Sequence, residues 1–218
     1  MISRLLSCLI VVLAFLPAAC ATRVGAGGQH ETYFSPRYLA KTEVDRVIDS
    51  SRAEIVAGMR RIAEKLYKRN PREWKRAGLA SREAALNRLF SGSLDFPELG
   101  GRREGAAALH AFSPDYPGDR VLAVMSGLLG MVYAAFEHND DFYVLDDLNE
   151  QKLYNCARNI EIAIWKMSST RLGNGDPMLL SNELDPSNPN TSFEREFGRV
   201  IGLLELLSKV VADKHGRS

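Results

Sequence analysis

Apolar residues recur at three- and four-residue intervals through most of the chain after residue 35, and this spacing is the strongest constraint on the fold. Such spacing places apolar side chains on one face of an α-helix, whereas a half-buried strand needs strict alternation. No convincing alternating run follows the N-terminal segment. With 218 residues, the chain is long enough for one domain with a substantial core. The sequence therefore predicts an all-α fold, a single bundle of about six helices.

Capping signals locate the starts of the predicted helices. Thr42-Glu43-Val44-Asp45 resembles a capping box, and Ser35-Pro36 offers an alternative, earlier start for the same helix. Asp147-Leu148-Asn149-Glu150 resembles a second capping box. The predicted helices run, in chain order, from Val44 to just before Pro71, from Pro71 to about Trp74, from Ser81 to about Phe90, from Arg102 to Phe112, from Asp119 to Phe136, from Asp147 to about Ser169, and from Thr191 or Ser192 to about Val211.

Three of these helices carry a continuous apolar stripe that we expect to face the core. The stripes are Val44, Ile48, Ile55, Met59, Ile62 and Leu66 in the first helix, Leu153, Ala157, Ile160, Ile164 and Met167 in the sixth, and Phe193, Phe197, Val200, Ile201, Leu204, Leu207 and Val211 in the last. Polar and charged residues separate them, which is typical of helices packed on one side only.

The most apolar stretch after the N-terminus is Val121–Phe136. It is shorter than the roughly 20 residues that a membrane span needs, so a buried central helix is favoured over a membrane-inserting hairpin. Small residues at helical spacing line one side of it: Ala123, Gly127, Gly130 and Ala134. Because small side chains let a second helix approach closely, this helix is predicted to form the centre of the core.

The first twenty residues form a different kind of segment. Arg4 precedes an almost uninterrupted apolar run from Leu5 to Leu16, and small residues follow. A positive tip, a short apolar run and small residues together are typical of a secretory signal peptide. The predicted organisation is a signal peptide over residues 1–19, a flexible tether over 20–34 and a helical domain over 35–215.

Leu16-Pro17-Ala18-Ala19-Cys20-Ala21 resembles the lipobox of bacterial lipoproteins, with Pro17 where that family usually has Leu. The resemblance implies that the Cys20 thiol receives diacylglycerol, that the chain is cut before Cys20, and that the new amine is acylated with a chain such as palmitate. Each buried CH₂ adds about 0.8 kcal/mol of membrane affinity, so several acyl chains anchor stably. Two alternatives are a soluble periplasmic protein cut after Ala21 and an uncleaved signal anchor.

In the lipoproteins that this segment resembles, the residue after the lipidated cysteine helps to determine whether the protein stays in the inner membrane or reaches the outer membrane. Lipoproteins of Gram-negative cells with Asp at this position are commonly retained in the inner membrane, and here the residue is Ala21. The resemblance thus implies a periplasm-facing protein of the outer membrane. Gly25, Gly27 and Gly28 make the following segment suitable as a flexible tether between lipid and domain.

Charge and cysteine content exclude several classes of function. Removal of residues 1–19 takes away Arg4 and no acid, so the 28 basic residues become 27 and equal the 27 acidic ones. This balance provides no footprint for nucleic acid. Cys8 leaves with the signal peptide and Cys20 is used by lipid, so Cys156 remains as a small buried helix residue rather than a nucleophile.

The sharpest polar cluster contains His138, Asp140, Asp141, Asp146 and Asp147. Such carboxylates, with or without the imidazole, can hold a hard cation or a transition metal. The same residues also suit the end of one helix and the start of the next, which is the favoured interpretation. His30, His110 and His215 are scattered, and no catalytic motif is present, so no catalytic residue or cofactor is predicted.

The predicted function is that of a noncatalytic helical adaptor or assembly factor that binds another envelope protein. An aromatic contact surface is one possibility for its binding site, formed from Tyr33, Phe34, Tyr38, Trp74 and Trp165. Two alternatives are a carrier or sensor of an apolar ligand, held in a cavity beside the glycine-lined helix, and an envelope hydrolase. The hydrolase hypothesis requires His138 and a carboxylate of Asp140–Asp147 to converge in a cleft.

Overall fold

The computed structural model describes the backbone of residues 20–24 and 30–34, and residues 41–143, 146–182 and 191–216 in full. The fold is all-α, as predicted. The described α-helices are α1 (Glu43–Arg69), α2 (Pro71–Arg76), α3 (Arg82–Leu89), α4 (Glu104–His110), α5 (Arg120–Ala135), α6 (Glu150–Ser169) and α7 (Ser192–Lys214). A short 3-10 turn at Pro97–Leu99 lies between α3 and α4.

Two short strands, β1 (Cys20–Val24) and β2 (His30–Phe34), form an antiparallel pair within the segment predicted as a tether. Cys20 is opposite Phe34, and Val24 is opposite His30. The sequence pattern does not predict these strands. The signal peptide and the alternative helix start at Ser35-Pro36 lie outside the described residues.

The described residues divide into two compact units. The smaller unit contains the two strands, the start of α1 up to Ile48, and the described residues between Asp141 and Asp146. The larger unit contains the rest of α1, which continues without interruption from Asp49, and helices α2 to α7. Helices α2 to α7 thus all belong to one unit.

Capping hydrogen bonds confirm three of the predicted helix starts, at Thr42, Ser81 and Asp119. The Thr42 hydroxyl accepts from the Asp45 amide at 3.2 Å while an Asp45 carboxylate oxygen accepts from the Thr42 amide at 2.8 Å, which is the reciprocal pattern of a capping box. Ser81 caps α3 through the Ala84 amide at 3.1 Å. The second predicted capping box is wrong: Asn149, and not Asp147, caps α6, because the Asp147 carboxylate instead pairs with His215 of α7.

Helix α5 forms the centre of the core. All of its residues are buried except Gly130, Tyr133 and Ala134, which are partly exposed. Helix α4 packs directly on it at Gly127, where an added Cβ would lie 2.5 Å from both the Ala108 amide nitrogen and the Glu104 carbonyl oxygen. The small-residue side of α5 therefore allows a close helix approach, as predicted.

A helix that crosses a bilayer needs roughly 20 predominantly apolar residues. Within the described part of the chain, no helix is both long enough and apolar enough to do so. Helix α5 has 16 residues.

Helices α6 and α7 pack against each other, and α6 also packs against α5. The predicted stripe of α7 is buried except for the half-buried Ile201. In α6, Leu153, Ala157, Ile160 and Met167 are buried as predicted, but Ile164 is only half-buried and Ala163 takes the buried position. Helix α6 is thus rotated slightly from the predicted orientation, and Ile162 and Trp165 are exposed.

Four polar side chains lie buried where α1, α2 and α5 meet; we call Tyr67, Glu73, Asp119 and Arg120 the polar junction. A Glu73 carboxylate oxygen accepts from the Arg120 backbone N–H at 2.9 Å, and Arg72 and Arg76 also donate to this carboxylate. The Arg120 guanidinium donates to carbonyl oxygens of the preceding loop, including that of Ser113 at 2.8 Å. Both buried charges are therefore satisfied.

Tyr67 and Asp119 complete the junction. The Tyr67 hydroxyl donates to one Asp119 carboxylate oxygen at 2.9 Å, and the other oxygen accepts from the Leu122 amide at 2.9 Å, which caps α5. Burial raises the pKa of Asp119 to about 6, against the opposing effect of these two hydrogen bonds. Burial, with the nearby Asp119 charge, also raises the pKa of Tyr67. The hydroxyl thus stays protonated and remains the donor.

Candidate functional site

A groove runs along one face of α6, on the side that faces α4 and α5. The α6 residues that line it follow a continuous helical stripe: Lys152, Asn155, Cys156, Asn159, Ile162, Ala163 and Lys166. Their spacing of three and four residues keeps them on one face over about four turns, or about 21 Å. We call this feature the docking groove.

The docking groove has two lobes that share Glu104, Met131 and Asn159. The first lobe, of about 340 Å³, is lined by the polar half of the α6 stripe and by Ala134 and Ala135 of α5. The second lobe, of about 250 Å³, is apolar and is lined by Ala108, Leu109, Phe112, Met131, Ile162 and Ala163.

Large apolar side chains stand exposed along the second lobe. Leu109 of α4 and Ile162 of α6 line the groove and are each 52% exposed, and Trp165, one turn from Ile162, is 64% exposed. Lys152 and Lys166 mark the two ends of the α6 stripe. An apolar patch with polar residues around it is typical of a protein-binding surface.

Cys156 lies in the floor of the first lobe. It is buried, and burial raises the pKa of its thiol to about 12, with a further contribution from the nearby Glu104 carboxylate. The thiolate form that a nucleophile requires is therefore strongly disfavoured. This confirms the prediction that Cys156 is a buried helix residue.

The structure gives the four candidate carboxylate ligands different partners. Asp140 pairs with Arg52, Asp141 with Lys41 at 3.1 Å, and Asp147 with His215. Asp146 accepts a hydrogen bond from the Tyr143 amide at 2.8 Å. His138 is exposed just after the end of α5. Among the described residues, no three His, Cys, Asp or Glu side chains converge in a way that could hold a metal ion.

The aromatic residues proposed as a contact surface differ in exposure. Trp165 is strongly exposed, whereas Trp74 is only half-exposed and has the Lys75 ammonium 5.5 Å from its ring centroid. The side chains of Tyr33 and Phe34 and the whole of Tyr38 lie outside the described residues, as does the Cys20 thiol. Of the two members whose side chains the structure describes, Trp165 is the strongly exposed one.

Sequence reasoning missed the docking groove. The periodicity of α6 identified its buried side but not which neighbouring helices would leave Ile162 and Leu109 uncovered. A usable signal was present: Ile162 and Trp165 are large apolar residues outside the predicted stripe. In an amphipathic helix, such residues indicate a second apolar face.

We compared the chain with protein-family models, with curated proteins and with solved structures, and none of the three comparisons gave a match. The class that the fold and the groove define is an all-α domain with an exposed, partly apolar helical groove.

Proposed function

We propose that this protein is a lipid-anchored, periplasm-facing lipoprotein of the outer membrane that acts as a noncatalytic adaptor. In this proposal the docking groove binds an amphipathic helix of another envelope protein. The exposure of Leu109 and Ile162 on the two walls of the apolar lobe carries the proposal. When a partner covers exposed apolar side chains of this kind, binding is favoured by about 25 cal/mol for each Å² of apolar surface removed from water.

Length and charge indicate the partner helix. A groove of about 21 Å matches a helix of about fourteen residues, whose apolar side chains would follow an i, i+3, i+4, i+7 pattern. Lys166 forms no ion pair with another described residue, and Lys152 at the other end contacts the Glu137 carboxylate at 2.9 Å. Acidic residues at both ends of the partner helix would complement these lysines.

The two alternatives have less support. For a carrier of an apolar ligand, the concavity beside the glycine-lined helix α5 includes Gly130 and is also lined by Arg102, Glu104 and Ser126. Such a lining suits a polar ligand better than an apolar one. For a hydrolase, His138 and Asp140 do line one depression. The Asp140 carboxylate there is paired with Arg52, however, and is largely exposed, which is a poor environment for a general base.

Site-specific photocrosslinking in living cells tests the docking proposal. A photoreactive amino acid replaces Ile162 in the full-length protein, and a matched control replaces Leu206 of α7, which has the same 52% exposure but lies outside the groove. We expect adducts at position 162 that map by mass spectrometry to an amphipathic helix of one envelope protein. Ile162→Asp in a second variant, crosslinked from position 109, should abolish the adduct.

Three results would contradict the docking proposal: equal adducts at positions 162 and 206, adducts only with a second copy of this chain, or adducts that persist after Ile162→Asp. The matched exposure of the two sites matters, because any exposed apolar residue can collide with abundant proteins. Only the groove position is expected to give a single mapped partner.

The anchor is tested separately by feeding cells an alkyne-tagged palmitate. The wild-type chain should carry the label and sediment with outer membranes, and Cys20→Ala should lose both properties. An unlabelled wild-type chain whose mature N-terminus follows Ala21 would instead establish a soluble periplasmic protein. The photocrosslinking result does not depend on this outcome, because the groove lies entirely in the helical domain.

A further inference from the structure

A second concavity lies on the other side of α4 from the apolar lobe. It has a volume of about 560 Å³ and lies between residues 92–95, the start of α4 and the partly exposed side of α5. Its lining combines the buried residues Leu99, Ala107 and Ser126 with exposed charged residues, among them Arg102 and Glu104. Sites for small molecules commonly have volumes of about 300–1,000 Å³. We call this concavity the cleft.

The cleft continues into a depression of about 370 Å³, because Gly92, Tyr133 and His138 line both. The charges of the two parts differ. In the depression Arg52 and Asp140 pair with each other, so it presents a neutral polar surface. The main part of the cleft is where unpaired groups lie.

Two opposite charges remain unpaired in the main part. Among the described residues, the Glu104 carboxylate forms no ion pair and accepts no hydrogen bond. The Arg102 guanidinium donates only to the Leu99 carbonyl oxygen, at 3.2 Å, and pairs with no carboxylate. Arg103 and Asp95, also in the lining, form an exposed ion pair with 3.5 Å between the guanidinium and the carboxylate.

Two further hydrogen-bonding side chains line the cleft. Neither the His138 imidazole nor the Tyr133 hydroxyl forms a hydrogen bond with another described side chain. Glu104 and His138 have positive φ angles of 48° and 59°, a conformation that residues other than glycine rarely adopt. Strained residues of this kind concentrate at binding and catalytic sites.

We propose that the cleft binds a small zwitterion of the amino-acid or short-peptide class. The ligand's carboxylate pairs with Arg102, its ammonium group pairs with Glu104, and its polar body extends past Tyr133 and His138 toward the neutral depression. A site with one unpaired cation and one unpaired carboxylate favours a ligand that supplies both opposite charges. An anion or a cation alone would leave one of them unmatched.

The test uses four matched probes and isothermal titration calorimetry on the full-length protein in detergent. The probes are L-alanyl-L-alanine, its N-acetyl form, its C-terminal amide and the doubly capped form, which share one body and differ only in charge. We expect the zwitterion to bind best and each cap to weaken binding about tenfold, the usual effect of losing one hydrogen bond to a charged group.

Two variants assign the charges to side chains. Arg102→Gln should remove the preference for a free carboxylate and keep that for a free amine, while Glu104→Gln should do the reverse. Arg195→Gln, at an exposed position of α7, is the charge control and should bind like the wild type. Circular dichroism establishes that each variant is folded.

Absence of binding of the zwitterion to wild-type protein would overturn the proposal. Equal affinity for all four probes, or unchanged preferences in both variants, would overturn it as well. The wild-type series is decisive by itself if a variant fails to fold. Glu104 lines both the cleft and the docking groove, but Leu109 and Ile162, which carry the adaptor proposal, do not line the cleft, so failure of the adaptor proposal would leave the expected result of this test unchanged.

Discussion

The polar junction and the docking groove reverse the usual distribution of residue types. In the junction, Glu73 and Arg120 carry charges in the interior, whereas in the groove Leu109 and Ile162 present apolar side chains to solvent. The junction is stable because its charged side chains have partners within the fold. The apolar residues of the groove have no such cover from the described helices. We therefore expect the junction to govern stability and the groove to govern binding.

The largest expected effect comes from breaking the junction. Arg120→Met keeps an unbranched side chain, shorter than that of arginine, and removes the donors for the loop carbonyl oxygens, including those of Ser113 and Tyr116. We expect a loss of about 3–5 kcal/mol in the free energy of unfolding, measured by urea denaturation. Arg195→Met on the surface of α7 should change it by less than about 0.5 kcal/mol. A similar loss in both variants would show that the junction has no special role.

The pH dependence of stability sharpens the comparison. Because burial raises the Asp119 pKa from 3.8 to about 6, the protonated form is the better-tolerated one in the fold. The contribution of the protonated Asp119 carboxyl to the free energy of unfolding is fully present below pH 3.8 and is lost as the pH rises through about 6. Relative to wild type, Asp119→Asn should therefore become more stable between pH 4 and pH 8, by up to about 3 kcal/mol.

Urea denaturation of both proteins at several pH values measures this difference, and all other titrating groups cancel when the two are subtracted. An asparagine at position 119 keeps an oxygen that can accept from the Leu122 amide, so the cap of α5 is preserved. A difference that stays constant with pH would mean that Asp119 titrates near its ordinary value.

Substitution of Gly127 tests the contact between α5 and α4, the helix that contributes residues to both the groove and the cleft. In Gly127→Ala, the new Cβ overlaps backbone atoms of Glu104 and Ala108, so we expect a loss of about 1–3 kcal/mol. Gly202→Ala in α7 is the matched control, because its Cβ meets nothing within 4 Å and should stabilise the helix by about 0.5–1 kcal/mol. Thermal denaturation distinguishes the opposite signs. A stabilising effect of Gly127→Ala would show that the α4–α5 contact is looser than described.

The smallest effect on stability is expected in the groove itself. Ile162→Asp and Leu206→Asp replace residues of equal exposure, and each should change the free energy of unfolding by about 0.5 kcal/mol or less. The two variants should differ only in partner binding. A large loss of stability in Ile162→Asp would mean that Ile162 is a core residue, and the groove would lose its significance as a docking surface.

The correct and the incorrect sequence predictions differ in the range of the interactions involved. Ser81 and Asp119 were correctly predicted as helix starts. Each accepts a hydrogen bond from an amide only three residues later, so the capping interaction is local in sequence. Asp147 was assigned the same role, but its carboxylate pairs with His215, 68 residues away. The local pattern around Asp147 contains no information about that competing partner.

The same limit applies to the candidate site. A further long-range contact lies outside the groove: the side-chain oxygen of Asn70 accepts from the Leu180 amide, 110 residues away, at 2.8 Å, and no local pattern around Asn70 indicates that partner. The walls of the docking groove come from three helices, so no single stretch of sequence defines them. The sequence did suggest the close approach of a helix at Gly127, because small residues permit it wherever the partner helix originates.

By itself, the sequence determined the all-α class, most of the helix limits and the buried stripes of α1 and α7, since helical hydrogen bonds and periodicity act within a few residues. Tertiary structure alone decided the rotation of α6, the exposure of Leu109 and Ile162, and the pairing of each polar group in the junction. The physical reason is that burial and long-range hydrogen bonds depend on which helices meet, and local pattern does not specify those neighbours.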